Sequence, residues 1–294
     1  MKLEYEILDS DNYINVKEVL KAHFKISDRL LLRLKNTKNI LLNGEPTYVS
    51  KEVTTGNVVT AIIDFIEDSD NVVPTKMDLD IIYEDDCYLI VNKGPSTPIH
   101  PSILHYDNSL SNGVKYYFDS IGLKKKIRPV NRLDKDTSGL VIFAKNEYIQ
   151  EALVSQMKSK EFKKEYIAIC SGIFERKSGT INLPIARKDG SIIEREVSPS
   201  GSVAITHYEV LEEHNNISVV KCLLETGRTH QIRVHLSYIG HPILGDTLYG
   251  GEFEGISRQL LHAHKISFIH PLTKEQVEYI APIPEDFIYY GSVK

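Results

Sequence analysis

Between Arg128 and Lys145 the chain reads RPVNRLDKDTSGLVIFAK, and no other stretch limits the possible fold so strongly. The apolar run Leu140 to Ala144 is too short for a stable helix and reads as a buried strand. Just before it stand the turn residues Thr137, Ser138 and Gly139, the acidic pair Asp134 and Asp136, and a basic approach. A carboxylate is thereby held between cations, on a loop anchored by a core strand. Such a loop suits a reactive Asp acting on a polyanion, with Asp134 as the candidate.

The chain has 294 residues, enough for one large domain and a small one. The acidic opening MKLEYEILDSDNY lacks an apolar core, so no signal peptide is expected. No apolar run approaches the ~20 residues that cross a bilayer, so no membrane partner is expected either. Cys87, Cys170 and Cys222 are widely spaced, and neither they nor the histidines show metal-ligand spacing. They fit buried structural roles in a reduced cytosol and a cytoplasmic protein. Neither a GxGxxG nor a phosphate-binding P-loop is present, so no cofactor is expected. Oligomerisation has no sequence signal, and a monomer is the default.

A formal net charge of −5 argues against indiscriminate coating of nucleic acid, but the placement of the cations matters more. From Ile14 to Thr60 there are eight cations against four anions, while acidic residues concentrate between Glu67 and Asp86. Within that basic region, Asn15 to Phe24 sets Val16, Val19, Leu20 and His23 on one helical face. Ser27 reads as the N-cap of a second helix, Asp28 to Lys35, which carries Arg29, Arg33 and Lys35. Ile40 to Leu42 then runs into the hairpin turn Asn43-Gly44, and Val58 to Ile63 supplies another strand. This resembles the small RNA-binding domain of the ribosomal-protein S-four type, over roughly Tyr13 to Phe65. The resemblance implies phosphate contacts from Arg29, Arg33 and Lys35 that are largely independent of RNA sequence.

Residues 1–12 read as an N-terminal extension, 13–68 as the small domain, 69–77 as a polar linker and 78–294 as the large domain. Strands are expected on either side of the acidic turn Glu84 to Asp86, and helices at Ser109 to Phe118 and Glu147 to Lys160. Leu110, Val114 and Tyr117 would face inward from the first of these. A strand is expected at Glu165 to Cys170, then short strands with polar turns to Glu225. Arg228 to Tyr238 reads as a helix, and Leu261 to Ile269 and Gln276 to Ala281 as closing strands. The fold class is therefore α+β: a two-helix-plus-sheet module, then a larger β-rich domain flanked by helices.

Three blocks of the large domain resemble, in this order, those of the RluA-type pseudouridine synthases. They are Asn131-Arg-Leu-Asp-Lys-Asp-Thr-Ser-Gly139, Lys164-Glu-Tyr-Ile-Ala168, and Thr226-Gly-Arg-Thr-His-Gln-Ile-Arg233. Gly240-His-Pro-Ile-Leu-Gly-Asp246 and the ending Ala281 to Asp286 match as well. The resemblance implies a catalytic domain on a mixed, mainly antiparallel sheet that isomerises uridine to pseudouridine in structured RNA. Large-subunit ribosomal RNA is the favoured substrate and transfer RNA the other; an inactive RNA-binding or ribosome-assembly factor on the same fold is the alternative. Asp134 is implied as the catalytic residue, Arg233 as its partner and Tyr166 as the aromatic that packs on the flipped base. Arg132, Arg228, His230 and Gln231 are implied substrate contacts, with Arg132 entering the space that the base leaves. Asn131 stands where the family usually has His, which puts the grip on flanking RNA in question. Asp136 reads as a structural cap of the turn before Thr137.

Overall fold

The computed structural model describes residues 1–67, 69 and 71–288. Asp68 at the expected domain boundary, and Asp70 in the expected linker, lie outside the described residues. In the small module, β1 (Lys2–Glu6), β2 (Ile40–Leu42), β3 (Glu45–Pro46) and β4 (Val58–Ile62) form one sheet in the order β1-β4-β2-β3. The expected extension ahead of residue 13 therefore contributes a strand, paired antiparallel along β4. Asn43 and Gly44 both take positive φ, 52° and 85°, as a tight hairpin turn between β2 and β3 requires.

The first helix departs from its simple periodicity. Asn15 caps α1 (Val16–Glu18), after which the backbone widens into one π-type turn at Val19–His23. The extra residue rotates His23 off the buried face, where it stacks on Tyr5 with ring centroids 3.6 Å apart, and Phe24 enters the core instead. Ser27 caps α2 (Asp28–Asn36) as expected, and its hydroxyl also donates to Glu151 Oε1 at 2.9 Å.

Among the described residues, the large domain is built on a nine-stranded sheet. Its strands are β5 (Asp80–Glu84), β6 (Tyr88–Lys93), β7 (Ser138–Ala144), β8 (Lys163–Ser171), β9 (Ser178–Asn182), β12 (Ile205–His214), β13 (Ile217–Leu224), β14 (Leu261–Ile269) and β15 (Gln276–Ile280). A separate hairpin, β10 (Ile185–Arg187) with β11 (Arg195–Val197), lies outside it. The sheet order is β5-β6-β7-β14-β8-β13-β12-β9, with β15 also on β14. Of these pairings only β7 with β14 is parallel. Strand β7 is buried along all seven residues, and its alternation feeds two cores. Leu140, Ile142 and Ala144 face α4 (Glu147–Ser159) and the small module, whereas Val141 and Phe143 face α3 (Leu110–Ser120). On α3 it is Phe118, rather than the expected Tyr117, that is fully buried; Tyr117 donates its hydroxyl to Glu84 at 2.6 Å.

The start of β7 crosses β14 so closely that a Cβ at Gly139 would lie 2.3 Å from the Ala263 carbonyl oxygen, and its φ is +114°. Only glycine fits there. The approach to the strand is pinned by Asn131, whose carboxamide donates to Leu140 O and accepts from Ile142 N, each at 2.9 Å. Asn131 is thus a brace on β7 rather than a group presented to flanking RNA.

The small module is joined to the sheet by one continuous apolar cluster, from Leu30, Leu34 and Val59 to Tyr88, Ile142 and Phe268. A charge network seals this junction. Arg33 donates to Glu67 and, at 3.0 Å, to Glu147, and its guanidinium lies 3.8 Å from the centre of the Phe65 ring. Arg128 donates to the same Glu67 oxygen at 2.8 Å. Burial works against the Glu67 charge, but the hydrogen bonds from Arg128 and Arg33 outweigh it and hold the carboxyl below the usual range. The stability this carboxylate contributes is present above the ordinary glutamate pKa and is lost as pH falls through its lowered value. Thermal melts from neutral pH down to about pH 3 should therefore show a shallower acid limb for Glu67→Gln than for wild type. Equal slopes would remove Glu67 from the acid response.

Candidate active site

Strand β7 ends its approach loop at Thr137, whose amide donates to Asp134 O at 3.1 Å and closes the turn. Asp136, expected to cap this turn, contributes its carbonyl to Arg258 instead, at 3.2 Å. Lys93, the last residue of β6, is almost wholly buried beneath the loop. Its ammonium donates to Gly94 O and Lys135 O, each at 2.8 Å, so the chain between the two aspartates is held from below. Desolvation pulls the Lys93 pKa down to about 7, against the attraction of Asp136 and Asp134.

Asp134 is half-buried, and its Oδ2 accepts from Arg233 Nη1 at 3.1 Å. The other side of that guanidinium is taken by Asp246, with Nε to Oδ2 at 2.7 Å and Nη2 to Oδ1 at 2.9 Å. This bidentate fork fixes the plane of Arg233 and leaves one N–H aimed at Asp134. Burial alone would favour a neutral Arg233, but Asp246 and then Asp134 raise its pKa above the ordinary arginine value. Asp246 is itself held in a turn where Gly245 has φ +78° and a Cβ would strike the Arg258 carbonyl oxygen at 1.9 Å.

Arg233 lies on α5 (Gln231–Tyr238), which begins three residues later than the sequence pattern suggests. The delay has a local cause. His230 is left-handed at φ 58°, and the Gln231 carboxamide accepts from Arg228 N at 3.0 Å and Thr226 Oγ1 at 2.8 Å. Gln231 also donates to Ile205 O and Thr206 Oγ1. Its polar atoms are thus occupied by the protein, and the expected substrate contact is corrected to a structural clasp. His230 presents Nε2 3.9 Å from Asp134 Oδ2, and its Nδ1 meets the Tyr249 hydroxyl at 2.7 Å. Burial lowers the His230 pKa, which favours a neutral ring at pH 7.

A cleft of about 570 Å³ gathers Asp134, Tyr166, Arg233, Arg132, Arg228 and His230. Tyr166 is buried on β8 beside this space, and its hydroxyl forms no hydrogen bond among the described residues. Desolvation, reinforced by the Asp134 charge, pushes the Tyr166 pKa well up, so it remains a neutral phenol. A phenol can exchange hydrogen bonds, but it does not supply the phenolate of a strong base. Arg132 and Arg228 are exposed at the cleft, with Arg228 Nε donating to Val203 O at 3.0 Å.

The small-module cations are not part of this cleft. Arg33 is committed to the junction network, which corrects its expected role as a phosphate contact. Arg29 and Lys35 stay exposed on α2. Sequence reasoning also missed Asp246, Lys93 and Tyr249. The first had a signal in its place beside the Arg233 block; Lys93 ends an apolar strand whose period turns it inward. Asp85, Cys87 and His270 bring potential ligand atoms within 4.8 Å of one another, despite the lack of sequence spacing. Hydrogen bonds account for this cluster: Asp85 caps Cys87 N and Tyr88 N and pairs with His270, which in turn accepts from Leu272 N and Thr273 N.

An open cationic cleft in which a guanidinium is clamped to the Asp134 carboxylate, with a buried aromatic beside them, suits an enzyme that works on a polyanion carrying a flat ring. The family model for RNA pseudouridylate synthase matches residues 87–238. The chain is 41% identical over 264 residues to the uncharacterized RNA pseudouridine synthase YjbO of Bacillus subtilis (strain 168), covering 89% of this chain and 93% of that relative. It is 35% identical over 263 residues to the ribosomal large subunit pseudouridine synthase D of Haemophilus influenzae, with 85% and 81% covered. The solved structure of human RNA pseudouridylate synthase domain containing 1 superposes with a TM-score of 0.59 at 29% identity, over 70% of this chain and 83% of that one. The chain belongs to the RNA pseudouridylate synthase family, whose isomerase activity converts uridine to pseudouridine in RNA.

Asp246 makes a direct prediction about this geometry. Asp246→Asn keeps the shape but replaces one charged acceptor with a donor, which breaks the fork and frees Arg233 to swing. A charge-assisted hydrogen bond contributes roughly 1.5–3 kcal/mol, so kcat should fall by about 10- to 100-fold with a smaller change in KM. A change confined to KM would show that Asp246 does not orient the reacting pair.

Proposed function

We propose that Asp134 is the catalytic carboxylate of a uridine-to-pseudouridine isomerase whose substrate is large-subunit ribosomal RNA. The single observation that carries this is the convergence of Asp134, the Asp246-clamped Arg233 and Tyr166 in one open cationic cleft. The reaction must break the carbon–nitrogen glycosidic bond, turn the detached uracil and rejoin it through carbon 5. Asp134 supplies the carboxylate that acts at the ribose, as nucleophile or as base. Arg233 fixes the direction of that carboxylate through Nη1. Tyr166 supplies the face on which the extruded uracil stacks, worth about 1–3 kcal/mol, comparable with the cost of extruding one base. Its neutral hydroxyl is available to exchange a hydrogen bond with the turning base. Arg132, exposed at the cleft, enters the gap that the base leaves.

The ribosomal preference rests on the relative named for the large ribosomal subunit, with transfer RNA as the other substrate to be tested. The module of β1 to β4, α1 and α2 serves as an RNA-binding domain of the S-four type, with the exposed Arg29 and Lys35 as its phosphate contacts. The enzyme acts as a monomer in the cytoplasm, where its free cysteines remain reduced.

Incubation with ribosomal or transfer RNA lacking pseudouridine, followed by carbodiimide-dependent reverse-transcription mapping, tests the assignment. Wild type should produce stops on large-subunit RNA, and Asp134→Asn should produce none. Activity retained by Asp134→Asn would remove that residue from the chemistry; no stops from either protein would favour an inactive RNA-binding factor on this fold. Tyr166→Leu should slow single-turnover isomerisation by about 10- to 100-fold through lost stacking. An undiminished rate would show that the ring does not hold the base.

A further inference from the structure

The cleft contains a cation that the reaction described above leaves unused. Lys164 lies two residues before Tyr166 on β8, so alternation sends both side chains to the same face, with Cα atoms roughly 6.6 Å apart. Both line the cleft. Among the described residues, the buried cations near it have partners. Lys93 donates to two carbonyls, and Arg233 sits between two carboxylates. At the cleft edge Lys160 pairs with Glu225 at 2.5 Å. The Lys164 ammonium has no hydrogen bond or ion pair among the described residues. Burial lowers its pKa, and no neighbouring carboxylate offsets that effect. Lys164 is half-buried, so its ammonium keeps a side open to the cleft that an anionic ligand can occupy.

The opposite wall comes close to this ammonium at a glycine. A Cβ built at Gly227 would come within 3.3 Å of Lys164 Nζ, the one atom beyond its chain neighbours that it would meet within 4 Å among the described residues. Gly227 and its neighbour Thr226 also line the cleft, where β13 turns toward α5. A side chain at 227 would press on the lysine head and narrow its approach.

We propose that Lys164, with Gly227 opposite, forms an anion subsite for a backbone phosphate next to the target uridine. One strand, β8, would then hold both halves of a nucleotide: Tyr166 the base and Lys164 the phosphate. The subsite deepens the isomerase reading and rests on it for the identity of the bound RNA.

The test uses Lys164→Met, which keeps the length of the side chain and removes its charge. Three readouts apply to the full-length protein. Thermal stability should be unchanged or higher, because the ammonium that is removed holds no other part of the fold. Affinity for a short oligouridylate should fall roughly 10-fold, and the slope of log K against log salt should shrink by about 0.7, one phosphate contact on a single strand. On the RNA segment carrying the mapped uridine, single methylphosphonate replacements should reveal one linkage that matters to wild type and no longer matters to Lys164→Met. Lys164→Arg should restore the salt slope. Gly227→Ala, which leaves the lysine in place, should weaken the same linkage-specific effect.

An unchanged salt slope together with retained methylphosphonate sensitivity would overturn the subsite. So would a marked loss of thermal stability in Lys164→Met, which would make the lysine structural. If wild type modifies no RNA, the isomerase reading fails, while the oligouridylate salt slope still decides whether Lys164 meets a phosphate.

Discussion

The fork between Arg233 and Asp246 is the interaction on which the site depends. It places a full positive charge in a nearly closed environment, with Arg233 and Asp246 at 7% and 1% exposure. Such a pair survives desolvation only with near-ideal geometry and satisfied donors. Both conditions hold, because two guanidinium nitrogens meet the two Asp246 oxygens and a third meets Asp134. The turn at Gly245 makes this possible by admitting the chain where no side chain fits. Asp134 therefore receives its orientation from the arginine, and the arginine from an aspartate that never reaches the cleft.

The same logic holds beneath the catalytic loop. Asn131 braces one end of the loop on β7, the Lys93 ammonium supports its middle, and the Gly139 crossing fixes its exit. Each of the three substitutes a specific contact for freedom of the loop. The Asp134 carboxylate thus sits on an irregular segment with strand-like rigidity, as a reactive group held within a fraction of an ångström requires. The small module adds to this rigidity: its apolar core is continuous with the Ile142 face of β7, and the Arg33, Glu67 and Arg128 network closes the seam.

Local signals were strong where local physics decides the outcome. Ser27 as a cap, Asn43-Gly44 as a hairpin turn and the strand character of β7, β8 and β14 all follow from residue type and spacing. The misses have physical reasons as well. The π-type turn at Val19 inserts a residue that a 3.6-residue period cannot anticipate, which exchanges His23 for Phe24 in the core. The late start of α5 comes from a Gln231 clasp onto β12, a contact with residues more than twenty positions away. Arg33 looked free because its acidic partners lie 34 and 114 residues along the chain.

Residue types and short spacings were therefore enough for the inventory: a buried strand behind an aspartate loop, an α+β chain with a basic first module, and three blocks that resemble one enzyme family. Those features are written in nearest neighbours and short periods, and they do not need the chain to close. The tertiary structure decided which charges act and which hold. Asp134 and Arg233 are 99 residues apart, and only the order of strands around β14 brings them to 3.1 Å. Arg33 and Gln231 passed from substrate contacts to structural ties, and Lys164 emerged as a cleft cation whose ammonium has no partner among the described residues. A charge acquires its role from the partner it finds, and that partner comes from distant chain.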